Sequence, residues 1–175
     1  MRQEHVCIKK LAIVVCAALS ASQIQDFVHL VQQDQWDVWI IATPKASDFI
    51  NEPLLRRLTG HPVTMTAPLS PLPSFDAVVV VPATFNTLKK WAQGIEDTYA
   101  LTLLRIWTRQ AYLPILVFPR ASAELAQDPA FAPSLSRLEQ QGVQIYYHPD
   151  QYPPNNNIPW SSILIKLRNA SAHNG

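Results

Sequence analysis

Hydroxyls and an amide recur in this chain where a site is easiest to build. Ser20 and Ser22 stand close behind one apolar run, Thr43 and Ser47 behind a second, and Thr84, Asn86 and Thr87 behind a third. A fourth apolar run is followed by Arg120 and Ser122. At a helix start such side chains do one of two things. They cap the helix by accepting from its unpaired N–H groups, or they leave those groups to an anion, which the helix dipole also favours. For any single segment the cap is the ordinary reading, and the recurrence on one rim is what raises the ligand reading. A glycine loop cannot hold that ligand. The four glycines are Gly60, Gly94, Gly142 and Gly175, so the dinucleotide fingerprint and the phosphate loop, which need closely spaced glycines, are both excluded. A phosphate site in this chain must use hydroxyls, amides and helix N-termini.

The elements that would position these segments alternate. Periodicity predicts strands over 11–16, 38–42, 77–81, 115–118 and 143–147 and helices over 22–33, 45–58, 87–94, 97–110, 133–140 and 160–167. Gly60 and Gly142 end two of the helices, and after Gly60, Pro62, Pro68, Pro71 and Pro73 force an irregular connection before the strand over 77–81. The strands are apolar without alternation and each is followed by helix, which predicts a doubly wound α/β domain, its parallel sheet covered on both faces. In such sheets ligands bind beyond the carboxyl ends of the strands, where the strand order reverses. The segments at 17–22, 42–47, 82–87 and 119–122 all fall there.

Composition narrows the rest. The chain has 175 residues, 48% hydrophobic and 15% charged, enough for one compact domain with its own core. Fourteen basic against thirteen acidic residues leave a net charge of +1, with no bulk attraction to nucleic acid or anionic membrane. Cys7 and Cys16 make no disulfide framework and fit a reducing, cytoplasmic setting. His5 with Cys7 and Cys16 lacks the ligand number and spacing of a zinc site, so no metal is expected. Arg2, Lys9 and Lys10 ahead of an apolar run imitate a secretory signal, but β-branched Ile13, Val14 and Val15 passing into a helix pattern read as a first βα unit. No stretch reaches membrane-spanning length.

The run Pro82, Ala83, Thr84, Phe85, Asn86, Thr87, followed by Gly94, Ile95, Glu96 and Asp97, resembles the Pro-Ala-Ser-Ala-Asn-Thr and Gly-Ile-x-Asp motifs of the homo-oligomeric flavin-containing cysteine decarboxylases. That family includes the lantibiotic cysteine decarboxylases and phosphopantothenoylcysteine decarboxylase. The resemblance extends to Cys16 through Ser20 and to Thr43 through Ile50. It implies a flavodoxin-like (Rossmann-like) fold, single-domain over 1–175 with 1–10 as an extension and 148–175 as loop and tail, that binds FMN without covalent attachment. It also implies a homo-oligomer, a trimer or a dodecamer of trimers. Ser20, Thr43 and Ala46 would lie toward the phosphate, and Ala83, Thr84, Asn86 and Thr87 along the flavin, with Ser22 a further cofactor-binding candidate.

The family's chemistry is flavin-dependent oxidation of a cysteine side chain, which eases loss of the adjacent carboxylate. It uses a histidine ahead of the third strand and an asparagine in a Pro-x-Met-Asn-x-x-Met motif. Here 67–74 contains no histidine and His61 is the nearest, while Ser122 stands in the asparagine place of Pro119, Arg120, Ala121, Ser122. His61 and Ser122 are thus the candidate catalytic residues and Arg120 the candidate for a substrate carboxylate. A serine lacks the paired acceptor and donors of an amide, so recognition would differ. Each also has a plain alternative: a turn histidine, and an arginine facing solvent. Asp97 is expected either to cap a helix or to support the flavin loop. Trp91, Ile95, Tyr99 and Leu103 recur at helical spacing and would serve core or subunit contacts. Tyr146, Tyr147, Tyr152 and Asn155 through Asn157 form either a lid or a tail. Three functions remain open: a flavin enzyme acting on a small molecule or peptide containing cysteine, a non-catalytic FMN-binding regulatory or assembly subunit, and a cofactor-free domain of the same fold.

Overall fold

The computed structural model describes residues 8–149 and 157–172. His5, Cys7, Tyr152, Asn155 and Asn156 lie outside them. Five parallel strands, β1 (Lys9–Val15), β2 (Trp36–Ala42), β3 (Ala77–Ala83), β4 (Ile115–Pro119) and β5 (Gln144–Ile145), form one sheet in the order β2-β1-β3-β4-β5. The order reverses between β1 and β3, which places the crevice for a ligand above their carboxyl ends.

Period-two alternation explains how one apolar strand serves two layers. Leu11, Ile13 and Val15 face one side with Val79 and Val81, and there they meet α1 (Ile24–Gln33) and α7 (Trp160–Ala172) through Phe27, Val28, Ile163 and Leu167. Ala12, Val14, Val78 and Val80 face the other side, against Leu88 and Trp91 of α3 (Phe85–Gln93), Leu104 of α4 (Tyr99–Thr108) and Leu138 of α6 (Phe131–Gln140). Trp36, Trp91 and Trp107 are buried. Of the spaced set, Trp91 and Leu103 are core and Ile95 is exposed.

Several predicted boundaries move, each for a local reason. The helix expected over 45–58 divides into a 3-10 turn, Pro44–Asp48, and α2 (Glu52–Thr59). Asn51 starts α2 by accepting from the Leu54 N–H at 3.1 Å, and Gly60 ends it at φ 74°, a left-handed backbone that glycine adopts without strain. A 3-10 turn, Leu19–Gln23, likewise precedes α1. The fifth strand shrinks from the predicted 143–147 to Gln144–Ile145. A four-residue helix, α5 (Ala123–Ala126), stands where none was predicted. Among the described residues no helix is long and apolar enough to cross a membrane.

Candidate functional site

A cleft of about 250 Å³ opens at the carboxyl ends of β1, β2 and β3. Thr43, Thr84, Asn86, Thr87 and Asp97 line it together, so the switch point gathers five residues that the sequence singled out from three separate segments. Ala83 ends β3 and Ala46 sits in the Pro44–Asp48 turn, both fully buried behind these residues. Ser20 and Ser22 are not among the lining residues, and the Ser22 hydroxyl donates back to the Leu19 carbonyl at 2.8 Å.

The three elements that rise from β1, β2 and β3 begin without a side-chain cap. The Leu19–Gln23 turn, the Pro44–Asp48 turn and α3 have Ala18, Thr43 and Thr84 at the cap position, and none of these side chains accepts from the turn it precedes. Thr84 donates to the Thr87 hydroxyl at 3.1 Å instead. The Thr43 side chain makes no hydrogen bond to any described residue, although Thr43 is only 8% exposed. Thr43 lines the cleft, so its hydroxyl is left to a ligand or to water.

Charge at the cleft is partly neutralised. Lys90 pairs with Asp97 across the opening. Asp97 is therefore not the cap of α4: Thr98 takes that place, accepting from Leu101 N–H at 3.2 Å. Arg105 holds the same loop by donating to the Gly94 carbonyl at 2.9 Å and pairing with Glu96 at 2.7 Å. Lys45 also lines the cleft, is exposed, and has no ion-pair partner among the described residues. Beneath the floor lies Cys16, fully buried. Burial pushes its thiol pKa up against the opposing hydrogen bonds of Thr87 and Thr84, which leaves it a neutral thiol and a poor nucleophile.

Sequence reasoning passed over Lys45 and Lys90. Position could have found both, since Lys45 follows Thr43 and Pro44 directly and Lys90 lies four residues beyond Asn86 on the same helical face.

The other candidates lie elsewhere. His61 is stacked on Trp39 at 3.7 Å between ring centres, and its Nε2 lies 2.9 Å from Asp37 Oδ1. Both partners belong to the amino-terminal half of β2, several residues along the strand from Thr43, so the fold does not bring His61 to the cleft. Ser122 caps α5 by accepting from the Leu125 N–H at 3.2 Å. Arg120 lines a separate cavity of about 30 Å³ with Tyr146, His148 and Lys166, where burial depresses its pKa. Tyr146 stacks on Phe118 and Tyr147 packs edge-on against Phe131. These two tyrosines pack against the body of the domain, and Asn157 accepts from Gln23 at 3.0 Å.

Known proteins share this architecture. The FMN-dependent cysteine decarboxylase SpaF superposes with a TM-score of 0.77 at 21% identity, over 93% of this chain and 97% of that one. The FMN-binding protein AtHal3 does so with a TM-score of 0.73 at 17% identity, over 92% and 95%. In sequence, the coenzyme A biosynthesis bifunctional protein CoaBC of Thermococcus kodakarensis is 24% identical over 145 residues, 78% of this chain, which spans only 36% of that protein. Epidermin decarboxylase of Staphylococcus epidermidis is 22% identical over 142 residues, covering 78% of this chain and 76% of that one. Residues 2–158 match the family described as Flavoprotein; with a parallel sheet in the flavodoxin-like order and a polar cleft at its switch point, the chain belongs to the Flavoprotein family.

Proposed function

We propose that this protein binds FMN without covalent attachment in the cleft above β1, β2 and β3, and that it is a flavoprotein of the cysteine-decarboxylase type with altered substrate groups. One observation carries the proposal: the Pro44–Asp48 turn and α3 both begin without a side-chain cap and both line one cleft, where the hydroxyl of the nearly buried Thr43 has no protein partner. That donor set suits a phosphate. Thr84, Asn86 and Thr87 would meet the flavin beyond it, with Ala46 and Ala83 buried behind. When bound, FMN supplies two-electron oxidation of a cysteine side chain, after which the neighbouring carboxylate is lost readily. The family membership and the names of the FMN-dependent relatives support the cofactor.

A cleft of about 250 Å³ is smaller than the 300–1,000 Å³ usual for a cofactor-sized ligand. A second copy of the chain would then cover the rest of the flavin, in keeping with a trimer or dodecamer. Leu19 and Leu125, 82% and 47% exposed behind β1 and β4, are apolar enough to join such an interface. The substrate would be a peptide or small molecule containing cysteine, met in the cytoplasm.

A second reading has its own observation. His61 is engaged by Asp37 and Trp39 away from the cleft, and Ser122 is occupied as a cap; both features favour a non-catalytic FMN-binding regulatory or assembly subunit. The visible spectrum of the purified protein, with identification of the chromophore released by heat, tests the cofactor first. Yellow protein releasing FMN is expected, and Asn86→Ala should retain less of it; a colourless protein that takes up no added FMN would overturn the proposal. Loss of carbon dioxide from a cysteine-ended peptide, followed by mass, then separates the enzyme from the regulatory subunit.

A further inference from the structure

We propose that Lys45 is the charge-selecting group of this cleft, the side chain that makes it distinguish a ligand ending in a phosphomonoester from the same ligand without its phosphate. The proposal rests on the FMN reading above and names the chemistry recognised at one end of that site. Three ionisable side chains line the cleft: Lys45, Lys90 and Asp97. Lys90 and Asp97 neutralise each other, so the cleft carries one uncompensated positive charge, on Lys45.

The backbone around Lys45 is fixed on both sides. Pro44 restricts φ before it, and after it Ala46 is fully buried, its N–H donating to the Thr43 carbonyl at 2.9 Å. The ammonium is thus a flexible charge on a rigid mount. Lining the same cleft are the start of the nine-residue helix α3, whose first turn has no side-chain cap, and Thr43, two residues before Lys45 in the same turn, a residue more than nine-tenths buried whose hydroxyl has no protein partner. The N–H groups and the dipole of α3 already favour a phosphate. A full cation adds a Coulomb attraction that a dianion gains and a neutral alcohol does not. Lysine acts here as a point charge rather than a bidentate fork, so arginine should substitute for most of the effect.

The test is a fluorescence titration of the purified, dialysed full chain with FMN and with riboflavin, at low and high salt. Wild-type protein should bind FMN at least tenfold more tightly than riboflavin. Lys45→Ala should lose roughly tenfold in FMN affinity and less than twofold in riboflavin affinity, with a shallower salt dependence for FMN. Lys45→Arg should keep most of the preference. Equal losses for both ligands in Lys45→Ala, or no loss for either, would overturn the assignment while leaving FMN binding intact. Wild-type protein that binds neither flavin would overturn the FMN reading itself, and the role of Lys45 with it.

Discussion

Behind β4, Ser122 turns its oxygen back to the Leu125 N–H, 3.2 Å away, and caps α5; behind β3, Thr84 holds the same position before α3 but gives its proton to Thr87. Packing explains the difference. α5 has four residues and buries none of them, so its cap is the main thing holding it. α3 buries Phe85, Thr87, Leu88, Trp91 and Ala92 and is held by its apolar face whether or not its first turn is capped. A helix stabilised by packing can leave its N–H groups to a ligand; one stabilised by its cap cannot. The N–H groups that open α3 behind β3 are in that sense left to a ligand, and the hydroxyl behind β4 is spent as a cap.

The sharpest way to break this comparison is Thr43→Val, which keeps the shape and removes the hydroxyl. Since that hydroxyl has no protein partner, thermal stability should hold, while FMN affinity falls roughly tenfold or more, the range for a hydrogen bond to a charged group. A fall in stability with unchanged FMN affinity would place Thr43 among ordinary structural residues. Ser122→Ala should do the reverse. It should cost about 1 kcal/mol through the lost cap and lower the Tm by about 2–4 °C, with flavin occupancy unchanged.

The smallest expected effect lies at the far end of the sheet and serves as a control. Arg168 of α7 holds Asp34 at the end of α1 through two nitrogens, at 2.6 and 3.0 Å, and its hydrogen bonds hold the Asp34 carboxyl below its ordinary pKa. A carboxyl depressed in the folded state stabilises the fold above its unfolded pKa of about 4 and loses that contribution as pH falls through the folded value. Asp34→Asn should therefore cost well under 1 kcal/mol at neutral pH, the pair being partly exposed, and the gap from wild type should close as melting is measured at successively lower pH below about 4. Flavin binding should not change.

Much of the fold was legible because its signals are local. The apolar runs at β1 and β3, the stop at Gly60 and the proline-rich connection after it depend on near neighbours, and each fell close to its predicted place. Where adjacent residues competed, the sequence could not choose. Asp97 and Thr98 are both good caps, and only the chain's path gave that place to Thr98 and turned Asp97 to Lys90. The helix predicted over 45–58 continued through Asn51 and Pro53 because the apolar spacing did, yet Asn51 began a new helix and left Lys45 in a turn.

Residue type and spacing by themselves determined the parallel α/β architecture, the rim on which to look and four residues of the cleft, Thr43, Thr84, Asn86 and Thr87, because strand and helix periods are written along the chain; Asp97 came only with the family resemblance. Tertiary structure alone decided which hydroxyls were free, that Lys90 was neutralised and Lys45 was not, and that His61 would stack on Trp39 instead of reaching the cleft. Those outcomes depend on contacts between residues far apart in sequence, and a side chain's choice between capping its own helix and facing a ligand is settled by what packs against that helix.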